Sequence, residues 1–194
     1  MHVVAPTPKS QRRRELRARR REIAAGRDVA ADDTALAREA LALVGRLGLG
    51  PGSVVLCYES IAGEPPTAAV NAALTGAGLR VLVPDTLADL DLDWHDLADP
   101  AATRLGLDAV GLADLVLSPG LAVDTTGTRL GQGGGCYDKA LPRRRPGVPV
   151  VTMLHPGEVV GADEEPLPRE AFDQPVDAVL TADGLTDLGL SDLG

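Results

Sequence analysis

A chain of 194 residues with 44% hydrophobic content is long enough to bury one sizeable core, and no apolar run in it reaches the length of a membrane span. Its net charge is −9, yet nine Lys and Arg face two Glu between Met1 and Arg27, so a +7 arm leaves a body of −16. An acidic body argues against general nucleic-acid binding, which calls for a basic domain rather than a basic arm.

Aromatic residues make up only 2% of the chain, so the core is built from Ala, Leu and Val, and a ring-binding pocket has few flat walls available. Cys57 and Cys136 show neither CxxC nor zinc spacing; two thiols permit a disulfide, and nothing in their context requires one. The basic N-terminal region is not followed by an apolar stretch, which points to no secretory signal and to the cytoplasm. His2, His95 and His155 have no partners at metal or nucleophile spacing, and no chemistry is assigned to them.

In chain order, Lys9 to Ala25 lacks Pro and Gly and ends at Gly26, the pattern of a helix with glycine just past its end. Asp32, Asp33 and Thr34 offer an N-cap for "ALAREALALVGRL", whose apolar positions recur at helical spacing. "VVLCY" is a short apolar run bounded by turn residues and reads as a buried strand. Thr67 then caps "AAVNAALTGA", and Gly78 closes it. "LRVLVP", "ADLVLSP", "VPVVTML" and "VDAVLT" are four more strands of the same kind, while "DLDWHDL", "GADEEPLPRE" and the closing "DGLTDLGLSDLG" read as loops and tail. Continuous apolar strands separated by helix-length segments predict an α/β fold, a three-layer sandwich whose mostly parallel sheet is flanked by helices. One domain over residues 1–194 is expected, with 1–8 and about 186–194 flexible. Ligands in such folds gather beyond the carboxyl ends of the strands, where Tyr58–Thr67, Ser118–Asp138 and the segment from Met153 would converge.

The most informative stretch, largely within the second of those segments, is "LAVDTTGTRLGQGGGCYDKAL", residues 121 to 141. It lacks the P-loop and GxGxxG patterns. Clustered glycines nevertheless let successive backbone amides turn toward one oxyanion, Arg129 supplies a bidentate cation, and Asp138 is a carboxylate suited to a phosphate-bridging magnesium ion. A glycine-rich hairpin with a satisfied arginine explains the composition equally well.

With its preceding strand, "DLVLSPGLAVDTTGTRLGQGGGCYDKAL" resembles the signature of the 5-formyltetrahydrofolate cyclo-ligase family, also called 5,10-methenyltetrahydrofolate synthetase. A basic helix beginning with Lys9 and Arg13, "YESIAGEPPT", and "LPREAFDQPVDAVLT" follow the family's order, so the resemblance spans almost the whole chain. It implies an enzyme that uses ATP as co-substrate and Mg2+ to close 5-formyltetrahydrofolate into 5,10-methenyltetrahydrofolate, releasing ADP and phosphate. The formyl oxygen attacks the γ-phosphate, N10 attacks the activated carbon, and phosphate leaves. Small-molecule folate and ATP are then the partners, with no nucleic acid, no membrane and a monomeric chain.

Carried over by position, the resemblance gives ATP contacts to Lys9 and Arg13 and an ATP-phosphate loop to Arg129, Gly131, Gln132, Gly133, Gly134, Gly135, Cys136 and Tyr137. Arg129 and Asp138 are the catalytic pair, Asp138 and Asp173 the metal positions, and Glu59, Glu64 and Tyr137 the folate contacts. Arg17, Arg20 and Arg21 decorate the helix. The sequence departs from the family where Val123 and Cys136 replace aromatic residues, where Phe172 replaces a polar one, and where "ADPAATRLGLDAVGL" shortens a segment that covers the folate. Those departures leave open the alternative of a divergent member that binds nucleotide or folate without turnover.

Overall fold

In a computed structural model of the chain, which describes residues 8–193, helix α1 (Lys9–Ala25) is followed by α2 (Val29–Arg46), strand β1 (Val54–Leu56) and α3 (Ala68–Gly76). Strands β2 (Arg80–Thr86) and β3 (Leu92–Asp96) form a hairpin, and a 3-10 turn (Leu107–Leu112) leads to β4 (Leu115–Pro119). Next come β5 (Ala122–Asp124), β6 (Arg129–Leu130) and the one-turn helix α4 (Cys136–Ala140). The chain continues through β7 (Val150–Met153), β8 (Val159–Val160), β9 (Ala178–Thr181) and β10 (Gly184–Asp187). None of the helices among the described residues is long and apolar enough to cross a membrane.

The main sheet has the order β10-β9-β7-β4-β1-β2-β3. Its five central strands are parallel, and β10 and β3 close the edges antiparallel. Burial on both faces explains the apolar runs. Val55, Val81, Leu115, Leu117, Val151 and Leu180 point to the layer of α2 and α3, which answers with Leu36, Leu43, Val70 and Leu74. Their neighbours Leu56, Leu82, Val116, Val150 and Val179 face the opposite layer, where Trp94, Val110, Tyr137 and Leu141 are packed. The expected three-layer α/β sandwich is therefore the fold.

Four local expectations change. Helix α2 begins a turn earlier than expected, because Asp28 is its N-cap and accepts from the amides of Ala30 and Ala31. Asp32 is instead engaged by Arg27, while Asp33 accepts from Ala69 N and so caps α3 from a distance. Thr67 makes no cap bond; its hydroxyl accepts from Ser60 N and ties the β1–α3 loop together. "DLDWHDL" is not a loop, since Leu92–Asp96 pairs with β2, and Gly184–Asp187 in the expected tail pairs with β9. The expected flexibility of residues 1–8 falls almost wholly outside the described residues.

A small second sheet, β6-β5-β8, projects from the main one. Gly127, in the β5–β6 turn, has φ +77°, and a Cβ there would lie 2.6 Å from the Val176 carbonyl, so glycine is required for that turn to dock. Helix α1 lies on this sheet through Leu16, packed with Leu121, Ala122, Leu130, Val160 and Leu167. The docking of α1 brings the basic arm to the glycine-rich segment.

Candidate functional site

Strand order reverses between β1 and β4, and the crevice beyond their carboxyl ends is where an open parallel sheet accepts ligands. A cavity of about 350 Å³ opens there. Tyr58, Glu59, Ile61 and Glu64 come to it from the loop after β1, Pro119 and Gly120 from the end of β4, and Pro84, Thr86 and Leu92 from the β2–β3 hairpin. Its remaining wall is Arg13, Arg129 and the run Gly131–Asp138. A second, larger cavity of about 680 Å³ lies on the other side of the same loop, lined by Lys9, Arg13, Gly133, Gly134, Gly135, Asp138, Lys139, Glu170, Phe172 and Asp173. All the residues expected at the site thus line one cavity or both.

The loop between β6 and α4 is built for backbone donors. Gly133 and Gly135 have φ +122° and +68°, which side-chain-bearing residues rarely adopt, and Gly135 is the N-cap of α4. At Gly134 a Cβ would approach Cys136 Sγ to 3.1 Å. Among the described residues, the amides of Gln132, Gly133, Gly134 and Gly135 donate to no protein acceptor. Cys136 carries a free thiol, as does buried Cys57, whose pKa burial pushes up to about 12.

Arg129 is anchored behind the loop. It donates to the Pro119 carbonyl (3.2 Å) and to Asp138 Oδ1 (3.1 Å), and its guanidinium lies 5.6 Å from the centre of the Tyr137 ring. Its buried Nε has no partner, and the buried hydroxyls of Tyr137 and Tyr58 have none either. Burial raises both phenol pKa values, so both hydroxyls remain protonated donors at neutral pH. Trp94 meets Tyr137 edge to face at 6.4 Å and acts as packing behind it. Glu64 is held near the cavity mouth by its own loop, accepting from Ile61 N.

At the second cavity, Lys9 Nζ binds Asp173 (2.6 Å) and Glu170 (2.8 Å) and lies 5.3 Å from the centre of the Phe172 ring. Burial pulls the Lys9 pKa down, and the hydrogen bonds to Asp173 and Glu170 outweigh it, so the net shift is upward and the ammonium stays charged. No group of three or more His, Cys, Asp and Glu side chains forms a metal cage among the described residues. Asp138 uses Oδ1 for Arg129 and for Gln174 N, leaving Oδ2 without a protein donor among the described residues. That single anionic oxygen suits a magnesium ion that arrives with phosphates and keeps its waters. Both oxygens of Asp173 hold Lys9, so Asp173 reaches a metal only when Lys9 leaves it.

Two arginines read as decoration have other positions. Arg20 is buried and pairs with buried Glu158 (2.6 and 2.7 Å), while donating also to the Gly120 carbonyl. Arg17 reaches the glycine loop at Gln132. Sequence reasoning also missed Thr86 and Leu92 as cavity wall; the alternation of buried Leu92 and Trp94 with Asp93 and His95 is the strand signal that could have found the β2–β3 hairpin.

The family model for 5-formyltetrahydrofolate cyclo-ligases matches residues 6–182. The chain is 32% identical to 5-formyltetrahydrofolate cyclo-ligase of Mycolicibacterium smegmatis over 197 aligned positions, 92% of this chain and 95% of that one. The fold is similar to that of a 5,10-methenyltetrahydrofolate synthetase from Mycoplasma pneumoniae, with TM-score 0.70, 16% identity, and coverage of 91% of this chain and 99% of the other. The Aquifex aeolicus 5,10-methenyltetrahydrofolate synthetase gives TM-score 0.66 and 22% identity, with 93% and 92% covered. Whole-chain similarity, together with a glycine loop walled by Arg129 and Asp138, places this chain in the 5-formyltetrahydrofolate cyclo-ligase family of ATP-dependent ligases.

Proposed function

We propose that this enzyme uses ATP and Mg2+ to cyclise 5-formyltetrahydrofolate to 5,10-methenyltetrahydrofolate, with release of ADP and phosphate. One observation carries the reading: Arg13, Gly133, Gly134, Gly135 and Asp138 line both cavities, so the glycine loop is a shared wall. ATP takes the charged cavity and the folate takes the cavity with Tyr58, Ile61 and Leu92. The γ-phosphate and the formyl oxygen then meet at the loop, and proximity supplies much of the rate.

The reaction needs charge neutralisation and positioning rather than an activated nucleophile. Loop amides and Arg129 hold the phosphate oxygens as the formyl oxygen attacks phosphorus. Lys9 exchanges Asp173 and Glu170 for phosphate, which frees Asp173. Asp138 and then Asp173 would hold the magnesium, which when bound draws negative charge from the phosphate oxygens. Glu59, Glu64 and the Tyr137 phenol orient the folate for attack of N10 on the activated carbon, after which phosphate departs. The chain works as a cytoplasmic monomer on these two small molecules, with no nucleic acid involved.

Purified protein incubated with 5-formyltetrahydrofolate, ATP and Mg2+ is expected to develop the methenyl absorbance, with one ADP formed per turnover. A protein that binds both ligands yet yields neither product overturns the reading.

A further inference from the structure

Helix α1 does more than present ATP contacts. Arg13 Nε donates to the Gly131 carbonyl (3.1 Å), and one turn later the Arg17 guanidinium donates to the Gln132 carbonyl, with Nε also on Gln132 Oε1 (3.1 Å). These are consecutive peptide units, and no peptide in the described structure is cis. In a trans peptide the C=O and N–H vectors point opposite ways. Drawing the Gly131 and Gln132 carbonyls toward α1 therefore turns the amides of Gln132 and Gly133 away from it. Those amides have no protein acceptor among the described residues; Gln132 lines the first cavity and Gly133 lines both, so the Gly133 amide sits on the shared wall where the γ-phosphate is to meet the formyl oxygen. Arg17 itself lines neither cavity and is exposed.

We propose that Arg17 is a positioning residue that acts from outside the site by holding the Gln132 carbonyl, so that the Gly133 amide is aimed at phosphate before ATP arrives. The inference rests on the ATP reading above. Glycine flanks the critical peptide on its C-terminal side, and a loop with two positive-φ glycines, Gly133 and Gly135, offers little side-chain steric resistance to that peptide flipping. An external clamp removes that freedom in advance, and pre-organisation of this kind shows up in affinity. Arg17 differs in this from Arg14 and Arg21, which are exposed on the same helix and hold no protein partner among the described residues.

The test is calorimetric binding of Mg-ATP to wild type and to the single variants Arg17→Ala, Arg17→Lys and Arg14→Ala, with thermal unfolding and steady-state kinetics on each. Arg17→Ala is expected to weaken ATP binding about five- to tenfold and to raise KM for ATP more than it lowers kcat, with Tm close to that of Arg14→Ala. Arg17→Lys retains a donor for the carbonyl and is expected to recover most of the affinity. Equal affinities for Arg17→Ala and Arg14→Ala would show that the arm attracts ATP only through its summed charge and would sink the proposal, as would Arg17→Lys binding no better than Arg17→Ala. A wild type that binds no Mg-ATP would sink the ATP reading itself, a different result from equal variants.

Discussion

The two oxygens of Asp138 are not equivalent. Oδ1 accepts from Arg129 and from Gln174 N, while Oδ2 has no protein donor among the described residues, and the role proposed for it is to hold magnesium. Asp138→Asn keeps the shape and the acceptor for Arg129 but removes the charge, so the fold should survive and catalysis should not. The expected loss is roughly 10²-fold in kcat, the scale of removing one electrostatic contact from a preorganised site, with partial recovery at high Mg2+. Full activity at limiting Mg2+ would shift the metal to Asp173. Asp124 is no alternative, because its two oxygens already accept from Thr126, Thr128 and Leu167 and serve the β5–β6 turn.

A different carboxylate links the site's wall to pH. Arg143 binds Asp91 through both oxygens (2.8 and 2.7 Å), clamping the base of the β2–β3 hairpin that supplies Leu92 to the cavity. The hydrogen bonds from Arg143 outweigh burial and hold the Asp91 pKa at about 2. The unfolded value is about 3.9, so the folded pKa is the lower one, and the contribution is complete above about pH 4–5 and lost as pH falls through about 2. Wild type should therefore exceed Asp91→Asn in unfolding free energy by an amount that is constant from pH 7 to 5, on the order of 2 kcal/mol, and that shrinks toward pH 2. Urea titrations across that range measure it; a difference that grows on acidification would contradict the clamp.

Among the elements, α1 shows where sequence is legible and where it stops. Its bounds follow from missing Pro and Gly and the glycine after Ala25, and they agree with the structure. The roles of its arginines do not follow, because each partner lies more than a hundred residues away: Gly131 for Arg13, Gln132 for Arg17, Glu158 for Arg20. A basic stripe looks solvated until the surface beneath it is known. The parallel strands were legible because burial on both faces makes them uniformly apolar. Strand β10 (GLTD) was not, since its pairing with β9 holds it rather than its composition. Strand β3 hid its period of two among three aspartates within seven residues. The glycine loop and its acid and arginine were legible at the level of motif, whereas the second wall of each cavity was assembled only by topology. Arg20 turns this into a measurement. It is buried against Glu158, so Arg20→Ala leaves an uncompensated carboxylate and should cost about 3–5 kcal/mol of stability. Exposed Arg14→Ala should cost less than about 0.5 kcal/mol. Comparable urea midpoints for the two would mean that Glu158 finds water when Arg20 is removed.

At the scale of the molecule, the site is a joint between two bodies of packing. Helix α1 is held by one apolar cluster around Leu16 on the small sheet, by the ion pairs of Lys9 with Asp173 and of Arg20 with Glu158, and by the bonds of Arg13 and Arg17 to the loop carbonyls, while α2, α3 and the main sheet share a separate and larger core. Both Lys9 and Arg13 face the charged cavity across from the glycine loop. A nucleotide there would bridge α1 to the loop, adding to the weaker of the two attachments and leaving the larger core untouched. Mg-ATP at about 100 times its Kd stabilises the folded chain by about 2.7 kcal/mol, which for a chain of this size raises Tm by roughly 5–10 °C. On adding Mg-ATP, amide exchange should slow in α1 and in residues 131–138, where local opening breaks the site, while amides of α2 and α3 that exchange by local fluctuation keep their rates and only those that exchange by global unfolding slow. In Lys9→Ala with Arg13→Ala the protection of α1 should vanish while that of the loop, which keeps its own amides and Arg129, is reduced but present. Uniform slowing throughout the chain would instead mean that the nucleotide stabilises only by mass action on global unfolding, and that α1 is already as firmly attached as the core.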